Sequence, residues 1–124
     1  MEEWELIKRL LAAADGSDSS FMPKLVANRY VQELSLRNPD APINREEIRE
    51  VAAEIAEELQ GADLIRLVSG SPGHPVNIAA MMRTEFGEEL YQALRGHNVV
   101  KLFEAMHAEV DAGEIRRILH QLDA

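Results

Sequence analysis

The sequence predicts a mainly α-helical domain, a compact bundle of about six short helices with one small β-hairpin near residues 63–80. Three observations carry that expectation. Apolar residues recur at 3–4 residue spacing through most of the chain, the period of a half-buried helix. Asparagine, aspartate, threonine, glycine and proline punctuate the pattern at intervals that leave six helical stretches. Between the third and fourth of these the spacing changes, and a β-favouring run is followed by a Gly/Pro turn.

The first helix spans about Glu2 to Ala14, with Trp4, Ile7, Leu10, Leu11 and Ala14 on one face and Glu5, Lys8 and Arg9 opposite. Asp15-Gly16-Ser17-Asp18-Ser19-Ser20 breaks it, and the serines offer N-caps for the next helix. That second helix, about Phe21 to Leu36, tolerates Pro23 in its first turn. Its expected buried stripe is Met22, Leu25, Val26, Tyr30 and Leu34. Pro39 and Pro42 end it, because each proline pushes the preceding residue out of the helical region. The third helix opens on Asn44-x-x-Glu47, which resembles a capping box. Ile48, Val51, Ala52, Ile55 and Leu59 form its apolar face, and Gly61 is the expected stop.

Asp63 to Val68 reads as a strand, Ser69 to Pro75 as a turn, and Val76 to Ala80 as a weakly alternating second strand; the competing reading joins 63–68 to the preceding helix and starts a new helix near Asn77. Thr84 caps a fourth helix carrying Phe86, Leu90, Tyr91 and Leu94, and Gly96 ends it. Asn98 is the expected cap of a fifth, with Val99, Leu102, Phe103, Met106 and Val110 as its stripe. Asp111-x-x-Glu114 starts the sixth, which buries Ile115, Ile118, Leu119 and Leu122.

Composition narrows the function classes. The 124 residues suit one domain, and 46% apolar with 28% charged residues matches an ordinary globular chain rather than a disordered one. The first residues are acidic where a secretory signal is basic, and no apolar run has the length of a membrane span. Cysteine is absent, which removes disulfides, thiolate metal sites and cysteine nucleophiles and is compatible with the cytoplasm. The formal net charge of −9 opposes tight duplex DNA binding, whose non-specific free energy comes from lysines and arginines displacing phosphate counterions. The local basic candidates are Arg66, Arg95 and Lys101 around His97, and the pair Arg116-Arg117.

No catalytic residue, cofactor site or metal site is expected. Glu104 and His107 have the Glu-x-x-His spacing of di-metal bundles, but the second copy such a site needs is missing. His74 has no acidic or nucleophilic neighbour by local spacing, and Ser69-Gly70-Ser71-Pro72-Gly73 lacks the lysine of a phosphate-binding loop. The third helix is the most distinctive feature. Glu46, Glu50, Glu54 and Glu58 succeed one another at i,i+4, where like charges cost a few tenths of a kcal/mol per pair, and Glu57 adds to them. A face of this kind suits a docking surface for a basic protein partner. Met81-Met82 is an adjacent pair that could also meet a partner. A homodimer through part of residues 98–122, with Val99, Leu102, Phe103 and Met106 as contacts, is the expected assembly.

Residues 59–90 carry one resemblance. Leu59 through Ile65 leading into a strand, the Gly-Ser-Pro-Gly-His loop, Val76-Asn77-Ile78, and Thr84-Glu-Phe-Gly-Glu-Glu-Leu90 are similar to the second half of a winged-helix domain. The family has two helices joined by a turn upstream, whereas residues 44–60 read as one unbroken helix in the place of its recognition helix. The resemblance implies a nucleic-acid-binding or transcription-regulatory domain. The absence of an organised active site, set beside the acidic helix, implies instead a non-enzymatic interaction or regulatory module acting through helical surfaces.

Overall fold

The computed structural model describes residues 3–16, 22–40, 42–68 and 80–122. Six helices and one antiparallel hairpin run in the order α1 (Glu3–Ala13), α2 (Pro23–Arg37), α3 (Arg45–Gly61), β1 (Ile65–Val68), β2 (Ala80–Arg83), α4 (Glu85–Leu94), α5 (His97–Ala105) and α6 (Ala112–Leu122). Among the described residues, no helix is long and apolar enough to cross a membrane.

Helix α1 lies at the centre of the molecule and packs against α2, α3, α4 and α5. Trp4, Ile7, Leu10 and Leu11 are buried as the spacing requires, and Leu6 joins them, so most of the helix circumference is enclosed. Trp4 packs against Phe103 of α5 with ring centroids 4.3 Å apart. Its indole N–H donates to the Ala108 carbonyl at 3.0 Å, which satisfies the one polar atom the burial would otherwise strand.

The hairpin pairs Ile65 with Arg83, Arg66 with Met82, Leu67 with Met81 and Val68 with Ala80. A third segment joins it. Beyond α1, Asp15 bridges Met82, the Gly16 N–H donates to Met81 O, and the Arg83 N–H donates to Ala14 O. Gly16 has φ +75°, the left-handed region glycine reaches without cost. Arg83 locks the joint, with Nη1 donating to the Leu11 carbonyl at 2.7 Å and Nε to Glu88 Oε2 at 2.5 Å.

Several expectations need correction. The buried residues of α2 are Ala27, Tyr30 and Val31, with Val26 and Leu34 half-buried, while Met22 and Leu25 are exposed. The helix turns its Ala27–Tyr30–Val31 side inward, where it packs against α3 and α1, and Arg9 of α1 lies over the Tyr30 ring. Met22 stands at the N-cap with no side-chain bond, and the serine caps fall at 17–20, outside the described residues. Gly61 is the last residue of α3, not its stop. The left-handed position falls to Asp63, φ 61°, and the Leu64 N–H closes the turn on Leu59 O. The second strand is Ala80–Arg83, later in the chain than expected, and takes in Met81 and Met82, both half-buried. His74, the loop 69–73 and residues 76–79 lie outside the described residues. Helix α5 starts at His97 with Gly96 as N-cap rather than at Asn98. Its buried residues are Val100 and Phe103, with Leu102 and Met106 exposed. In α6, Ile115, Ile118 and Leu119 are buried as expected, but Leu122 is 39% exposed.

Candidate functional site

Helix α3 owes its start to Asn44, whose side-chain oxygen accepts the Glu47 N–H at 3.1 Å. Ile48, Ala52, Ile55, Ala56 and Leu59 turn inward. That fixes the opposite side, and Glu46, Glu50, Glu54, Glu57 and Glu58 are all exposed there. Over twelve residues they mark a ridge about 18 Å long at 1.5 Å per residue. Arg49 reaches Glu46 at 3.6 Å. Glu50, Glu54, Glu57 and Glu58 have no ion pair with any described residue. Besides the Arg49–Glu46 pair, Glu46 and Glu47 face the positive end of the helix dipole at the N-terminus.

The C-terminal end of this ridge runs into a groove of about 640 Å³ lined by Glu3, Trp4, Glu58, Glu104, His107 and Glu109, among others. Glu104 is committed there to the fold, since its Oε1 accepts the Trp4 backbone N–H at 2.5 Å and so caps the first turn of α1. The Glu104–His107 pair does not share a helix face. Helix α5 has ended by Ala105, and His107 adopts φ 49° in the turn that the Ala108 N–H closes on Phe103 O. Among the described residues, no group of three or more histidines and carboxylates is placed to hold a metal ion.

The basic candidates are scattered. Arg66 and Arg116 line a second groove, about 630 Å³, at the start of α4, together with Asp63, Arg83, Glu85 and Glu89. Arg116 stacks over Phe86 at 4.0 Å from the ring centroid, and Arg66 Nη2 lies 3.6 Å from Met82 Sδ. Arg117 pairs with Glu114 at 3.9 Å, and Arg95 donates to Gln92 at 3.2 Å. The second groove is lined by three arginines against three carboxylates, so it offers no net positive field to a phosphate backbone.

Of the expected dimer contacts, Phe103 is fully buried against Trp4, and Val99 is half-buried. Leu102 and Met106 are each 37% exposed and remain the accessible apolar residues of α5. The outer face of α2 escaped the sequence reasoning. Met22, Leu25 and Leu36 are exposed on it beside Lys24, Arg29 and Arg37. A competing stripe through Ala27, Tyr30, Val31 and Leu34 has the same helical spacing and was the available signal.

Two ion pairs have carboxylates held below the ordinary range. The hydrogen bond from Arg9 lowers the pKa of Glu33, and bonds from Gln92 and then Arg83 lower that of Glu88. The same Glu33 hydrogen bond raises Arg9. One joins α1 to α2 and the other β2 to α4, and neither belongs to the acidic ridge. Comparison with protein-family models, curated proteins and solved structures found no match.

Proposed function

We propose that this chain is a non-enzymatic protein-interaction module whose α3 ridge docks a cationic segment of a protein partner. The observation that carries the proposal is the run of carboxylates Glu50, Glu54, Glu57 and Glu58 along one exposed helix face, which make no ion pair with any described residue. Like charges at i,i+4 oppose helix stability, and a cationic partner relieves that repulsion on binding. Such a surface mainly accelerates encounter, and added salt weakens it.

The frame that presents α3 supports a winged-helix-like arrangement. A helix, a bridging segment, two helices and two strands come in order, and the bridging segment joins the second strand. The order of α2 and α3, joined through residues 38–44 and followed by the hairpin, supports that reading. On that reading α3 would take the recognition position, and its carboxylates favour a basic protein over a duplex.

Fluorescence anisotropy tests the choice. A labelled arginine- and lysine-rich helical peptide is titrated against a labelled duplex of about 20 base pairs in about 100 mM salt. The peptide binds in the micromolar range and weakens as salt rises, whereas the duplex shows no binding below about 10 μM. Sub-micromolar duplex binding that Arg66→Ala weakens would overturn the proposal and favour the nucleic-acid reading.

A further inference from the structure

The outward face of α2 is the counterpart of the α3 ridge. Leu25, Arg29, Gln32 and Leu36 recur at spacings of four, three and four residues and so share one line along the helix. Met22 extends that line beyond the N-terminus, and Leu36 is 83% exposed, more than any other large apolar residue described. Lys24 and Arg37 flank the line, and with Arg29 they make no ion pair with any described residue. The one carboxylate of the helix, Glu33, is taken by Arg9. Arg45 closes the far end, forming a shallow cleft with Gln32, Ser35 and Leu36. In a chain of net charge −9, this is a cationic face with apolar anchors.

We infer that this face is occupied by α3 of a second copy of the chain, which rests on the reading of α3 as a docking ridge. The two faces are opposite in sign and similar in length, with Lys24, Arg29 and Arg37 spread over thirteen residues and Glu46, Glu54 and Glu58 over twelve. Set antiparallel, the direction helix dipoles favour, Arg29 and Glu54 lie on the same side of the contact and meet near its middle. Ala53, half-buried among the glutamates, leaves room for a leucine of the opposing helix. Each copy carries both faces, and where α2 and α3 of one copy meet α3 and α2 of the other about a single two-fold axis the contact is made twice and closes. The area is small and both copies are acidic, so the dimer is weak, with a Kd on the order of 10–100 μM.

Sedimentation velocity from about 10 to 300 μM in low salt reads the association against the 13.9 kDa monomer. The wild-type chain shifts toward twice that mass. Leu36→Glu, at a position too exposed to affect folding, weakens the dimer at least fivefold, and so does Arg29→Glu. The double variant Arg29→Glu with Glu54→Arg restores it. Circular dichroism confirms that each variant is folded. A chain that stays monomeric at every concentration would overturn the inference, as would a dimer indifferent to Leu36→Glu and Arg29→Glu but lost with Leu102→Glu. In either case, peptide binding that survives at α3 leaves the docking role of the ridge standing, whereas loss of peptide binding removes both.

Discussion

Gly87 shows how a single position can be dictated by a neighbouring element. A Cβ there would sit 1.8 Å from the Leu64 carbonyl oxygen, because α4 starts directly against the residue that leads into β1. Thr84 draws the two together, with Oγ1 accepting the Gly87 N–H at 3.0 Å and donating to the Asp63 carbonyl at 2.6 Å. Gly87→Ala should therefore cost about 3 kcal/mol or more, since backbone and not a flexible side chain must move. Urea denaturation that finds Gly87→Ala within about 0.5 kcal/mol of wild type would contradict this close approach. The caps at Asn44, Thr84 and Asp111 were legible because each is a local bond to an N–H three residues on. The stop of α3 was not. Gly61 offers the usual signal, but the chain continues until Asp63 can turn Leu64 into the core, and Asp63 takes the left-handed conformation instead.

At the level of elements, α2 separates what periodicity can and cannot decide. Two stripes of equal spacing run along it, and packing against α3 and α1 selects the one that holds Ala27, Tyr30 and Val31. The larger Met22 and Leu25 favoured the other stripe on hydrophobicity alone, which is why the cationic outer face could not be read from the sequence. Val31→Ala should cost about 2 kcal/mol, the scale of a buried valine, and Leu25→Ala no more than about 0.5 kcal/mol. Equal denaturation midpoints for these two variants would return Leu25 to the core. In α3, by contrast, the apolar residues form one stripe only, so both its buried and its acidic faces were legible. In α5 the expected stripe held Phe103 but took Val99 for its neighbour Val100, since two adjoining valines give hydrophobicity no means to choose between them.

Across the whole molecule, two ion pairs at joints between elements contribute a pH dependence. Arg9–Glu33 ties α1 to α2, and Arg83–Glu88 ties β2 to α4 and, through Arg83, to the end of α1. Both carboxylates have folded-state values below the 4.5 of the free group, so they favour the fold above about that pH. Their contribution is lost as pH falls through the lowered folded values. The double variant Glu33→Gln/Glu88→Gln should therefore lose less stability than wild type between pH 5 and the acid limit, measured by thermal melts along a pH series. A parallel decline of the two proteins would show that these pairs do not carry the acid sensitivity. The six helices and the hairpin were legible in periodicity and turn residues. The docking of Asp15 onto β2 was not, since a single bridge leaves no pattern in sequence. The central claim is that the acidic ridge of α3 is where a cationic partner binds, and amide chemical-shift mapping of the isotopically labelled chain tests it directly. On adding an arginine- and lysine-rich helical peptide, the largest shifts should fall on residues 46–58 and decrease with salt. Shifts concentrated instead around Arg66, Thr84 and Arg116, or spread evenly over the surface, would contradict the account.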